Sequence, residues 1–458
     1  MGQLPPEGAF DWWLIAVTAA TGLGFSAMAC MARGGLPYAA LFAFLVSMTG
    51  LDFGRLTIAD VVAVPGLALG LLGAVRSRRV IAPQWLLGIP LVVLAYGAGV
   101  VVLTDASATD LPVYAGSLLL APLLLCLHGT TESRLRLLMA AFALGAAVNA
   151  IVAIYDAMTP GVLVEALGTQ SGELRPAGLT THSNQLGLVC AMAAPMTLHL
   201  ADRSRRSLWF TVFLILAGGS LASGSRAGVA GFAFAALAYV VLDRNVGIKR
   251  VLQLTLLGAV GVFVAVSAGL TFAIDRLLGL TDSAAEGARL SDRGRAALSD
   301  QAWHDLINHL WTGIGYGGAS AHNYYLSVAR GGGMLVLLMV VIWSLYALRR
   351  GWLVRDRVDS MAASLAAATL WFVFANRYNA FNERFLWFPL GLVAAGCLLA
   401  RSAQRPENRP DLGLADGGSP NGRILGDMDV DRSVPRRQSG SVRSLGATTT
   451  TRSPEPRH

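Results

Sequence analysis

The sequence predicts an all-α, polytopic transmembrane bundle of about 12–13 spans, the count set by how many apolar runs reach the length that a bilayer needs. Three observations carry this. Of 458 residues, 54% are hydrophobic and only 14% charged, with a mean hydropathy of +0.55, whereas a soluble chain carries roughly 25% charged residues. Apolar runs of about 18 or more residues recur from Asp11 to Ala400, and backbone groups in lipid must be satisfied within helices. The short loops between these runs alternate between arginine-rich and arginine-poor.

In order, the spans read as 11–32, 36–51, 57–75, 84–104, 111–128, 135–157, 183–201, 207–223, 227–242, 251–274, 323–348, 360–376 and 385–400. The first lacks a basic leader and begins at Asp11, so it is not a cleavable signal peptide. The second is short for a span, and it decides whether the count is twelve or thirteen. From the third onward, arginine clusters alternate with other loops: Arg76 to Arg79, Arg134 to Arg136, Asp202 to Arg206, Asp243 to Arg250 and Arg349 to Arg357. The positive-inside bias places these in the cytoplasm. The intervening segments 105–110, 158–182, 224–226, 275–322 and 377–384 are then extracytoplasmic. Within the long 275–322 loop, Ala296 to His309 reads as an amphipathic helix on the surface. Residues 1–400 thus form the transmembrane domain. Residues 401–458, rich in Pro, Gly, Ser, Thr and Arg, form a disordered cytoplasmic tail.

The net charge of +8 comes almost entirely from arginine, with Lys249 the only lysine. No basic stripe interleaved with aromatics is present, which argues against a nucleic-acid partner. Cys30, Cys126, Cys190 and Cys397 stand singly in apolar spans and offer neither a disulfide framework nor a zinc motif.

Chemistry concentrates in the outer loops. The chain around Leu310-Trp311-Thr312-Gly313-Ile314-Gly315-Tyr316-Gly317-Gly318 is a glycine-rich turn, and it delivers His322-Asn323 to the lip of the next span. A neutral imidazole is the side chain best poised as a base near pH 7; Asn323 is suited to orienting a neighbouring group. The 158–182 loop ends in Arg175-Pro176-Ala177-Gly178-Leu179-Thr180-Thr181-His182-Ser183-Asn184, and the next outer turn is Ser223-Gly224-Ser225-Arg226-Ala227-Gly228. Arg175, Arg226, Arg293 and Arg295 run against the positive-inside bias. An uncompensated cation at an outer lip suggests an anion, and the planar guanidinium fork suits phosphate. The plainer reading is an Arg175–Glu173 pair and an Arg226 that anchors its helix at the headgroups. His128 and His199 fall at cytoplasmic ends of spans and read as snorkelling or capping residues, and His304 and His309 as solvated. The turn Asn376 to Arg384, carrying Arg377, Asn379, Asn382 and Arg384, either lines an acceptor site or is tied by Glu383 to Arg377 or Arg384.

Three segments together resemble the O-antigen ligase/polymerase family of membrane glycosyltransferases: Arg175-Pro-Ala-Gly-Leu with His182-Ser-Asn-Gln-Leu-Gly, Ser223-Gly-Ser-Arg226-Ala-Gly, and Gly313-Ile-Gly-Tyr-Gly with His322-Asn-Tyr-Tyr-Leu. Leu310 stands where that family usually carries a proline, and Arg330 near where a glutamate commonly follows the His-Asn pair. The resemblance implies metal-independent, inverting transfer of a glycan from a polyprenyl-diphosphate carrier to a glycan, glycolipid or protein acceptor, without a cofactor. The reaction would run at the outer face of a bacterial plasma membrane. It implies that Arg175 and Arg226 hold the diphosphate and that His322 activates the acceptor hydroxyl, with His182, Asn184, Arg295, Asn323, Arg377 and Arg384 in support. The outer face carries no glycosidase-type carboxylate pair and no clustered metal-ligand set. The same motifs serve a ligase moving a finished glycan and a polymerase joining repeat units. A lipid-linked sugar flippase, the reading from another class, calls for an internal repeat and charges at mid-bilayer; no repeat is evident, and the 48-residue outer loop, 275–322, is large for a transporter.

Overall fold

The computed structural model describes residues 34–53, 56–104, 116–159, 176–204, 206–244, 253, 282–315, 321–377 and 383–404, all within the first of two units into which the chain divides, Met1–Pro406 and Glu407–His458. The expected span 11–32, nearly all of 251–274 and the tail beyond Gln404 lie outside them; residues 401–404, expected in the disordered tail, continue the last helix. The elements are α1 (Leu36–Leu45), β1 (Asp52–Phe53), β2 (Leu56–Thr57), α2 (Ile58–Arg76), α3 (Gln84–Thr104), a π-turn (Gly116–Leu120) leading into α4 (Ala121–His128), α5 (Glu132–Met158), α6 (Ser183–Arg203), α7 (Arg206–Ala222), α8 (Arg226–Leu242), α9 (Asp282–Asn308), α10 (Tyr324–Val354), α11 (Met361–Phe374), a 3-10 turn (Ala375–Arg377) and α12 (Arg384–Gln404). The fold is helical; β1 and β2 form only a two-residue antiparallel pairing, Asp52 with Thr57 and Phe53 with Leu56.

Four helices, α2, α5, α10 and α12, are long and apolar enough to cross a membrane, and shorter apolar helices cover Leu36–Leu45, Gln84–Val100, Ser117–His128, Arg206–Ala222, Arg226–Leu242 and Met361–Phe374. Outward faces of α2, α3, α5 and α10 are apolar too: Val64, Leu91, Ile151 and Ile342 are exposed. Apolar surface on that scale marks contact with lipid, so the chain reads as a membrane protein.

The core is built around α6. From Ser183 to Ala201 every residue of it except Asn184 is buried. It is surrounded by α5, α7, α8 and α11. Small residues make this possible: a Cβ at Gly187 would lie 2.9 Å from the Gly228 Cα, and one at Gly219 would lie 2.3 Å from the Ala150 Cβ. Without a hydrophobic force between helices in lipid, such close backbone approach is what holds them. Polar residues cap the entries: Thr57 and Asp60 form a capping box on α2, and Thr131, Ser225 and Asn323 cap α5, α8 and α10.

α10 departs from the single span expected at 323–348. It breaks at Gly333, where φ is 76° and ψ 177°. The Leu310–Gly315 segment is laid into the break. Ile314 N–H donates to the Arg330 carbonyl (2.8 Å), Gly315 N–H to that of Gly331 (3.0 Å), and Met334 N–H to that of Leu310 (2.8 Å). Irregular backbone among apolar helices is tolerated where other protein groups satisfy it. The approach admits no side chain: a Cβ on Gly333 would lie 2.1 Å from the Trp311 oxygen. The glycines at Gly313 and Gly333 therefore serve the docking of the loop, a role beyond turn-making.

Polar contacts among the described helices gather at two ends. At one end Arg136 and Arg203 meet Asp359, Arg244 meets Asp356, and Tyr239 meets Asp202 and Asp243. These residues come from the arginine-bearing turns. The starts of α6, α8, α10 and α12 gather at the other end.

Candidate functional site at the arginine-poor end

The frame of this end is set by the chain before α6. Asn149, buried in α5, accepts the Leu179 N–H at 2.6 Å and donates to the Ser47 carbonyl at 2.9 Å. Gly50 N–H donates to the Leu179 carbonyl at 2.9 Å. Thr49 donates to Gln185 at 2.8 Å, and Gln185 donates to Glu383 at 3.1 Å. Residues 176–185 are thereby locked to α5, to the α1–β1 turn and to the start of α12. His182 sits exposed at the N-cap position of α6 and gives no side-chain cap; Asn184 is half-buried two residues on. Arg175 lies outside the described residues.

Arg226 opens α8 beside this frame, since Gly228 touches Gly187. The expectation of an uncompensated cation is corrected here. The Arg226 Nη2 binds both oxygens of Asp292 on α9, at 3.2 and 3.0 Å. Arg295 Nη1 stands 3.7 Å from the same carboxylate. Two of the arginines singled out in sequence thus converge on one acid. The Arg226 and Asp292 side chains are 49% and 54% exposed, and an ion pair in that setting contributes about 0–1 kcal/mol.

α9 carries this pair toward His322. It is longer than the Ala296–His309 surface helix expected, and it is not merely adherent: Ala302 and Leu306 are fully buried. Seven residues beyond Asp292, about 10 Å along a helix, Ser299 donates to the Ala321 carbonyl at 3.1 Å. Six residues further, Asp305 takes a two-nitrogen ion pair from Arg330, 2.8 Å to Nε and 2.7 Å to Nη2. Arg330 is buried at 7% exposure. Asp292, Ser299 and Asp305 therefore fasten α9 across α8, the His322 loop and the first half of α10. Trp303, Ile307 and Trp311 point outward and exposed; the Trp311 carbonyl accepts from the Tyr96 hydroxyl.

His322 is half-buried, with φ at 48°. Among the described residues only Arg78 shares a positive φ without being glycine. Such a conformation costs about 1–3 kcal/mol and persists only where its surroundings impose it. The surroundings are visible. Ala321 N–H donates to Ser327 Oγ at 3.3 Å, Ser327 Oγ donates to the Asn323 carbonyl at 2.9 Å, and Asn323 accepts the Leu326 N–H at 3.2 Å. Asn323 is thus the cap of α10. Tyr324 beneath is buried against Trp371 and Trp387.

The remaining supporting residues fall differently. The Arg377 side chain and residues 378–382, with Asn379 and Asn382, lie outside what is described. Arg384 is buried and its guanidinium grips Asp60 of α2, Nε to Oδ1 at 2.9 Å and Nη2 to Oδ2 at 2.7 Å. That is a helix-to-helix latch between the starts of α12 and α2. At the opposite end, His128 and His199 are both buried, not snorkelling: His128 Nε2 meets the Gly66 carbonyl at 2.9 Å, and His199 has no exposure.

Sequence reasoning missed Asp60, Asn149, Asp292, Asp305 and the role of Arg330. Asp60, Asn149 and Arg330 had a signal, being polar residues in or beside apolar runs, which by default mark sites or buried pairs. No protein-family model matches the chain, and no curated protein matches it.

Proposed function

We propose that the chain is a polytopic membrane glycosyltransferase that moves a glycan from a polyprenyl-diphosphate carrier to an acceptor hydroxyl. In this reading the arginine-poor end faces away from the cytoplasm. The observation that carries it is His322, held in a left-handed conformation in a loop that α9 fastens through Ser299, while the same helix meets Arg226 and Arg295 through Asp292, seven residues earlier. The order of the three sequence segments, and their resemblance to the O-antigen ligase/polymerase family, support the same reading.

The chemistry balances without an outside reagent. The acceptor oxygen attacks the anomeric carbon and loses its proton to His322. The bond from that carbon to the phosphate oxygen breaks, and polyprenyl diphosphate leaves with the electron pair. Attack opposite the leaving group inverts the anomeric centre. Arg226, with Arg175 and Arg295, stabilises the negative charge as it grows on the diphosphate. General-base help from a histidine is worth about 10²- to 10⁴-fold. Lipid-facing helices let the polyprenyl chain approach sideways from the bilayer while the sugar sits at the polar lip.

The test is transfer by the purified full chain from a lipid-diphosphate glycan to a panel of acceptors. Formation of a glycosidic product with release of polyprenyl diphosphate is expected. Binding of donor without any product, joined to passage of the donor across proteoliposomes, would replace this reading with a transporter.

A further inference from the structure

We propose that Glu132, His199 and Asp359 form a binding site for a divalent transition-metal ion at the end of the bundle opposite His322. The three come from separate elements: the first turn of α5, the last turns of α6, and the turn between α10 and α11. One ligand atom from each lies within 4.8 Å of the other two. A tetrahedral ion with bonds of about 2.0–2.2 Å needs its ligand atoms about 3.4 Å apart, so side-chain shifts of about an ångström close the set. The Nε2 of His199 already stands 4.0 Å from the Asp359 Oδ2.

The histidine is the independent sign. Its side chain has no exposure, and neither ring nitrogen has a hydrogen-bond partner. A buried, unsatisfied polar group costs about 1–3 kcal/mol, and such a group asks for a reason. Glu132 and Asp359, 24% and 31% exposed, form the open side through which an ion enters. Two carboxylates neutralise the charge of a divalent ion. One imidazole among them selects for zinc, cobalt or nickel over magnesium or calcium.

Two arginines share the site and play different parts. Arg203 pairs with Asp359 through Oδ1, which leaves Oδ2 turned to His199; a hydrogen-bonded outer oxygen is the usual support of a ligating carboxylate. Its charge is in turn faced by Asp243, which shares the Tyr239 hydroxyl with Asp202, at 3.1 and 3.0 Å. Arg136 competes with the ion. It reaches Glu132 at 3.5 Å and Asp359 Oδ2 at 3.4 Å, both long contacts that a half-exposed side chain releases easily. The Nδ1 of His199 lacks an acceptor, and absence of such support weakens a metal site by about 10- to 100-fold. The ion would clamp α5, α6 and the α10–α11 turn, independently of the transfer reaction proposed above.

The test uses the full chain in detergent, stripped with a chelator and titrated with Co²⁺. Saturable uptake of one Co²⁺ per chain, with a visible ligand-field band, is expected, displaced by Zn²⁺ and not by Mg²⁺. His199→Gln should weaken binding by more than about 100-fold, exceeding the loss of an outer partner. Glu132→Gln, at a half-exposed position that leaves the fold intact, should weaken it by about 10-fold or more. Arg136→Gln should tighten binding. Absence of saturable Co²⁺ uptake by wild type would overturn the proposal, as would wild-type affinity in Glu132→Gln or weaker binding in Arg136→Gln.

Discussion

Replacing Asp60 by Asn should destabilise the protein by about 3 kcal/mol, within the range for breaking a buried ion pair. The value follows from the geometry. Arg384 and Asp60 side chains are 8% and 11% exposed and are joined by two short charge-assisted bonds. Removing the carboxylate charge breaks a buried ion pair, which costs about 3–5 kcal/mol. Asn retains one oxygen for the Thr57 donors, which now bond Asp60 Oδ2 at 2.8 and 3.0 Å, so the lower part of that range applies. Arg384→Met should cost less, because Asp60 keeps those Thr57 donors. The double variant should lose less than the two singles combined, with a coupling of about 1–3 kcal/mol for residues in one network. Unfolding free energies from SDS titration of the four proteins measure this directly. An Asp60→Asn protein within about 0.5 kcal/mol of wild type, the scale of an ordinary surface change, would refute the latch and free Arg384 to contact substrate.

Three further outcomes test other parts of the account. Gly333→Ala places a Cβ against the Trp311 carbonyl at a φ of 76°, so it should expel the Leu310–Gly315 segment; faster proteolysis in that segment with α6 still protected is the expected pattern. Asp292→Asn removes the acid that Arg226 and Arg295 share, and should tighten lipid-diphosphate binding by up to about 5-fold, the worth of an exposed pair, as measured by fluorescence titration. Membrane-impermeant maleimide should label Ser320→Cys in intact cells and leave Ser204→Cys unlabelled, as the arginine alternation requires; the reverse pattern would invert the site.

The class of the fold and its two unlike ends were legible because each rests on a property that survives averaging. Apolar length shows through any window, and arginine clusters mark loops regardless of what they touch. The His322-Asn323 lip was legible because glycines and a capping residue sit next to it in sequence. The break in α10 was hidden for the same reason that its span was found: a hydropathy window runs across Gly331-Gly332-Gly333 without registering them. Arg384–Asp60, Arg226–Asp292 and Arg330–Asp305 join residues separated by 324, 66 and 25 positions, and pairing at such distance leaves no local pattern. The bundle fixes these partners, and with them whether an arginine is a buried latch, as Arg384 is with Asp60, or half of an exposed pair, as Arg226 is with Asp292.

The most direct test of the central claim is single-turnover glycan transfer, with donor saturating, by His322→Gly and His322→Gln enzymes. Glycine relieves a left-handed backbone worth about 1–2 kcal/mol against its own entropic cost of about 0.5–1 kcal/mol, so the first variant should be at least as stable as wild type. Both variants should bind donor normally and transfer about 10²-fold or more slowly, and added imidazole should restore part of the rate in the glycine enzyme. Transfer at near wild-type rate by either variant would contradict His322 as the base.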